Sequence, residues 1–216
     1  MYTPAQITKI VDIPLIAWPT LVLTGVCIVI ELCTIWLLHT NVISRPVALI
    51  INTVTIYAVF TPMHDASHGS VGSRQFSFLN NLVGYLAGFC FPVPFPAFKH
   101  IHLLHHKHTN EDSDPDKWAG MGPNYLLPLR WLTIEIKYYV LYLPKLYSRP
   151  RLEVISAILA LLCMISSIWT LCHYGYGHTI LWGWILPGRI ATSLLAFFFD
   201  YLPHRPHSVS KHVSPF

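Results

Sequence analysis

Apolar residues run along this chain in four long blocks separated by polar punctuation. Residues 13–38, "IPLIAWPTLVLTGVCIVIELCTIWLL", are apolar apart from Glu31 and exceed the roughly 20 residues a membrane helix needs. Residues 47–63 form a shorter second block, residues 154–172 a third and residues 179–202 a fourth. The fourth contains Pro187 and Arg189, which a bilayer tolerates near an interface or against other helices. Residues 78–98, "FLNNLVGYLAGFCFPVPFPAF", are apolar too, but two asparagines, two glycines and three prolines interrupt them. That segment predicts a re-entrant or interfacial element rather than a continuous span. "YYVLYLPKLY" at 138–147 mixes tyrosine, leucine and lysine, and predicts a surface-lying segment or one packed on a cytosolic cap.

Composition agrees with a lipid solvent. Hydrophobic residues make up 53% of the 216 and charged residues 11%, against about 25% in soluble domains. The first apolar block lacks a basic leader and a small-residue cleavage site, so it reads as a span and not as a signal peptide. The net charge of +4 includes no basic run of the kind that tracks nucleic acid, so no nucleic-acid partner is expected. The five cysteines lie in apolar stretches without a pairing pattern and read as small buried hydrophobes. Eight of the 14 Lys and Arg fall between Lys99 and Arg151, which places that region on the cytoplasmic side. The loops 39–46 and 173–178 then lie on the opposite side.

Against this background the histidines are not scattered. "HDASH" at 64–68 puts His64 and His68 four apart, on one face if the second span continues as a helix. "KHIHLLHHKHTN" at 99–110 holds His102, His105 and His106; on a helix His102 neighbours both of the others, while the adjacent pair diverges by about 100° and can serve two neighbouring metals. "LPHRPH" at 202–207 presents His204. Span parity places all three clusters at one membrane face. Imidazole suits iron, copper, zinc and nickel, and six histidines exceed one zinc site, so two metals are the natural count. Ligating imidazoles usually donate their other N–H to a carboxylate or carbonyl. Asp65, Asp114 and Asp116, with Asn110, are the candidates for that supporting shell, and Asp200 precedes the third cluster. His100, His108 and His207 flank the clusters and are weaker metal candidates.

These three segments on a four-span core resemble the membrane fatty acid desaturase and hydroxylase superfamily, over roughly residues 45–207. "HDASHGS", "HLLHHKHT…DSDPD" and "YLPHRP" are also similar to carotenoid ketolases and hydroxylases. The resemblance implies an all-α integral membrane fold, with about four transmembrane helices, re-entrant or interfacial segments and a cytosolic histidine cap. It implies two iron ions in a non-haem di-iron centre held by His64, His68, His102, His105, His106 and His204, with O2 as co-substrate. It implies an oxidoreductase of lipid metabolism that desaturates or hydroxylates a fatty acyl chain, with a carotenoid as the alternative substrate. The sequence carries no Gly-rich dinucleotide motif and no iron–sulfur cysteine pattern, so a separate electron donor such as a ferredoxin or cytochrome b5 is expected. The family pattern continues into a further H-x-x-H-H box that the sequence up to Phe216 does not contain. The expectation is therefore a single desaturase-like domain over 1–216 without its C-terminal box. A truncated or degenerate, non-catalytic metal-binding membrane protein is the rival of a different class.

Overall fold

A computed structural model describes residues 15–205, which are helical with no strand among them; a lone backbone bridge joins Ile16 to Gly72. His207 and the start of the first apolar block lie outside the described residues. Four helices are long and apolar enough to cross a bilayer: α1 (Trp18–His39), α2 (Arg45–His68), α7 (Arg151–His173) and α8 (Gly177–Tyr201). Between α2 and α7 lie α3 (Phe78–Cys90), α4 (Phe95–His108), α5 (Leu127–Leu132) and α6 (Ile134–Tyr142), joined by short 3-10 turns.

The spanning helices are patterned for lipid outside and polarity inside. The buried positions of α1 are Thr20, Thr24, Cys27, Glu31, Thr34 and Leu38, spaced three and four apart on one face. Val22, Val29, Leu32 and Trp36 point outward. Polar and small side chains are what apolar helices use to contact one another when lipid already solvates their outer faces. Asn52 of α2 shows the same logic. It is fully buried and its side-chain amide donates to the Gly183 carbonyl at 2.6 Å. Gly183 lies in a π-helical stretch of α8, Leu181–Ile185, where the i→i−4 ladder is interrupted.

The cysteine expectation holds only in part. Cys27 and Cys90 are buried, but Cys33, Cys163 and Cys172 are exposed. The last three sit on outward faces of spanning helices, where an apolar side chain meets lipid at no cost.

The expected break in residues 78–98 is real. α3 and α4 meet at 102° across residues 91–94. Phe91-Pro92-Val93-Pro94 supplies the corner, because each proline lacks an N–H and restricts the residue before it. The corner is deep in the bundle: the Trp184 indole of α8 donates to the Cys90 carbonyl at 3.0 Å. Phe95 then folds back onto α3 in a notch made by two glycines. A Cβ on Gly84 would lie 2.2 Å from the Phe95 ring, and one on Gly88 would lie 2.7 Å from the Val93 carbonyl. The start of α3 and the His102 turn of α4 both lie against the end of α2, through Asn80 on Gly72 and His102 on His68. Before α3, the Asn80 side chain accepts from Val71 N and Gly72 N and donates to Gly72 O, and the Ala17 N–H at the head of α1 donates to Val71 O. After it, α4 emerges beside the end of α2.

The 138–147 segment divides. Tyr142 is buried against Ala97 and Ile101 of α4, with Tyr138 alongside, whereas Tyr147 is fully exposed.

Gly84→Ala should therefore destabilise the fold by about 1–3 kcal/mol, the usual cost of overpacking. Thermal unfolding in detergent measures this, and Gly84→Ala combined with Phe95→Leu should recover part of the loss.

Candidate metal centre

α2 runs past the apolar block and carries "HDASH" on its last turns. It stops at Gly69, whose φ of +72° is a left-handed cap, with Ser70 N and Oγ both donating to the Asp65 carbonyl. His64 and His68 therefore lie one turn apart, and their rings are 4.5 Å apart. α4 offers the same i,i+4 spacing in His102 and His106, whose rings are also 4.5 Å apart. The two pairs face each other. One ring nitrogen from each of His64, His68, His102 and His106 lies within 4.8 Å of the other three. The Nε2 atoms of His68 and His102 are 3.0 Å apart, and those of His106 and His102 are 3.1 Å apart.

Burial, reinforced by the surrounding imidazoles of His64, His106, His68 and His105, pushes His102 down to about 2. Burial and the same kind of crowding push His106 down to about 4. These rings are neutral at physiological pH, and a neutral imidazole is the form that binds a metal.

His105 diverges from His106 and enters a second group. It is buried, and its Nδ1 lies 2.8 Å from Asp114 Oδ1 and 3.2 Å from Asp116 Oδ2. With Nδ1 engaged by carboxylates, Nε2 is left on the other side of the ring, and the His204 ring lies 4.9 Å away. Asp114 is fixed by its own turn. It caps the 3-10 helix Pro115–Gly120 by accepting from Asp116 N at 2.9 Å, and also accepts from Asn110 N at 2.7 Å. Asn110 has a φ of +63°, a conformation asparagine tolerates better than most residues. Burial would raise Asp114, but His105 and the two backbone N–H groups outweigh it and hold the carboxyl low. Burial raises Asp116, against the pull of His105 and of the Tyr138 hydroxyl, which donates to it at 2.6 Å. Tyr138 is in turn pushed well above the usual phenol range by burial and by Asp116.

The remaining sequence candidates separate from this pair of groups. Asp65 accepts from Thr20 at 2.8 Å and lies 3.6 Å from His64 Nδ1, so it ties α1 to α2 beside the cluster. His108 turns to Glu111 at 2.7 Å, and His100 packs on Tyr142 on the other side of α4. Asn110 acts through its backbone on Asp114. Sequence reasoning gave Tyr138 no part in the site, reading its segment as surface-lying or packed on a cytosolic cap, and missed Phe98, which stacks on His102 at 5.4 Å with the planes 9° apart. One turn of helix separates Phe98 from His102, and that spacing was the available signal for the stack. Beside His102 a narrow cavity of about 60 Å³ has aromatic and apolar walls, with Phe60, Phe91 and Phe98 among them, and also takes in the carboxylates of Asp116, Glu135 and Asp200.

Spanning helices ending in a converged polyhistidine cluster beside a narrow, partly aromatic slot define a membrane protein with a candidate metal centre. The sequence matches the family model described as "Fatty acid desaturase" over residues 40–214, and the chain belongs to that family. It is 31% identical over 110 residues to the sn-1 oleoyl-lipid 12-desaturase of Picosynechococcus sp., covering 51% of this chain and 30% of that protein. The Anabaena variabilis enzyme of the same name is 31% identical over 78 residues, 36% of this chain and 22% of that protein. The chain thus spans under a third of the length of these desaturases. The Beta-carotene ketolase of Paracoccus sp. is 28% identical over 197 residues, covering 87% of this chain and 72% of that protein. No solved structure matches the chain.

Asp114→Ala should cost about 3 kcal/mol of stability, because it strands a buried imidazole and unties the 110–116 turn. Asp112→Ala should change unfolding little, since Asp112 is solvent-exposed and pairs only with Lys117. Parallel denaturant titrations of the two variants measure the contrast.

Proposed function

We propose that this chain is a membrane-bound, oxygen-dependent, non-haem di-iron oxidoreductase acting on a lipid, and that a fatty acyl chain is its substrate. The observation that carries the reading is the four-imidazole convergence within 4.8 Å, set beside the slot at His102. The donor set fits iron: converged imidazoles with a buried carboxylate-supported histidine beside them. His64, His68, His102 and His106 would hold one ion, and His105 with His204 would reach toward a second. When bound, the iron pair supplies the activation of O2 needed to remove hydrogen from an unactivated C–H bond.

The chain's own residues set the conditions for that chemistry. Asp114 and Asp116 fix the His105 ring and leave its Nε2 facing His204. Phe98 holds the plane of His102. Phe60, Phe91 and Phe98 form the aromatic part of the slot, which would admit the tip of an extended hydrocarbon toward His102, with Asp116, Glu135 and Asp200 on its polar walls. Electrons come from a separate donor such as a ferredoxin or cytochrome b5. A carotenoid substrate is the second reading, and one finding favours it: the similarity to the ketolase covers 87% of this chain, whereas those to the desaturases are local.

Expression in a host that makes both oleoyl lipids and β-carotene separates the readings. The expected product is an acyl chain with an additional double bond. A keto-carotenoid would establish the second reading. Neither product from an iron-loaded chain would leave a non-catalytic metal-binding membrane protein. His102→Ala should lose iron and lower product at least about 100-fold.

The histidine end is assigned to the cytoplasmic face. In a background without the native cysteines, Ser70→Cys and Tyr147→Cys should label from the cytoplasm, and Asn41→Cys and Tyr174→Cys from the opposite side. Labelling of positions 70 and 147 from opposite sides would break the re-entrant topology.

A further inference from the structure

α4 has two working faces, and the metal-binding reading uses only one. The other carries Lys99, Leu103 and Lys107, spaced four apart and about a quarter turn round the helix from His102 and His106. This face lines a cavity of about 550 Å³ whose other walls are Tyr85 of α3 and Arg149 and Leu152 at the head of α7. α7 enters the apolar layer here, so the cavity sits where head groups meet hydrocarbon.

Its charge is unbalanced. Arg149 is neutralised by Glu153, donating from Nε at 2.8 Å and from Nη2 at 2.6 Å. Neither Lys99 nor Lys107 has a carboxylate partner among the described residues. The two lysines lie about 12 Å apart along the helix axis, and both can bend inward. The His100 side chain adds a buried Nε2 with no hydrogen-bond partner, and His100 lines the same cavity. Two free cations and an unpartnered ring nitrogen are wasted on a zwitterionic or neutral occupant.

A second, more apolar cavity of about 570 Å³ is bounded by Leu86 and Phe89 of α3, Leu171 of α7, Trp184 of α8 and the Ile28–His39 face of α1, where Glu31 contributes a carboxylate. Ser156 of α7 borders the first cavity and Ser167 the second, about 16 Å further along the helix. That separation suits an acyl chain hanging from a head group in the first.

We propose that the α3–α4–α7 surface holds one anionic glycerophospholipid, its phosphate between Lys99 and Lys107 and one acyl chain running down between α3 and α7. This lipid sits on the flank of α4 about a quarter turn from His102 and His106 and is bound as a resident, clamping α3 and α4 against α7. The proposal rests on the helices spanning a bilayer and is independent of the metal and of the substrate.

The test uses the purified full chain, with retained lipid read by native mass spectrometry and stability by thermal unfolding, against phosphatidylglycerol and phosphatidylcholine. Phosphatidylglycerol should be retained selectively and should raise the unfolding temperature. Lys99→Gln with Lys107→Gln should weaken its binding about 30-fold, from roughly 1 kcal/mol per lysine, without altering phosphatidylcholine retention. Lys99→Arg with Lys107→Arg should bind as the wild type does. Equal retention of the two lipids, or unchanged phosphatidylglycerol binding by the glutamine variant, would overturn the proposal. So would glycerol 3-phosphate alone reproducing the full stabilisation, since the cavity would then take a free phosphate. Unchanged lipid binding with loss of a small acidic redox protein from variant membranes would reassign the lysines to protein docking.

Discussion

The imidazoles of His64, His68, His102 and His106 converge with one ring nitrogen from each within 4.8 Å of the other three. That convergence shapes this end of the molecule. Burial and crowding push His102 and His106 down, and a neutral ring keeps a lone pair with which to bind a ligand. Helix geometry brings two histidines of each pair onto one face. Bringing the two pairs together requires α4 to arrive beside the end of α2 at the right height and rotation.

That arrival depends on the corner at residues 91–94. The proline-rich turn after α3 redirects the chain by 102°, and α4 then carries His102 to His68 at the end of α2. Phe95 can start this path only because Gly84 and Gly88 leave room for its ring and backbone. Behind α4, Tyr138 and Tyr142 of α6 pack against it, and Tyr138 also reaches Asp116. The position of the histidines and the packing of the 109–148 segment are therefore one problem. The carboxylates that steady His105 are themselves placed by a turn that begins where α4 ends.

Much of this was legible in the sequence because a bilayer imposes strict rules. Long apolar blocks must be helices, since lipid offers the backbone no hydrogen bonds. The broken composition of 78–98 announced a discontinuous element, and the i,i+4 spacings at 64/68 and 102/106 announced shared faces. The depth of the corner, the glycine notch and the Asn52–Gly183 contact were not legible, because each joins residues distant in sequence through shape. The exposed cysteines show the same limit from the other side. Periodicity is weak in a helix that is apolar all round, so inward and outward positions look alike until neighbours are known.

Position in the chain fixed that His105 and His106, about 100° apart on one helix, would point different ways. It also fixed that Asp114 and Asp116 would follow within a turn or two. Only the tertiary structure decided that His106 joins His64, His68 and His102, while His105 turns to Asp114, Asp116 and His204. The reason is that a helix sets the angle between its side chains, whereas the rotation of that helix against its neighbours is set by packing, and packing is a property of the whole bundle.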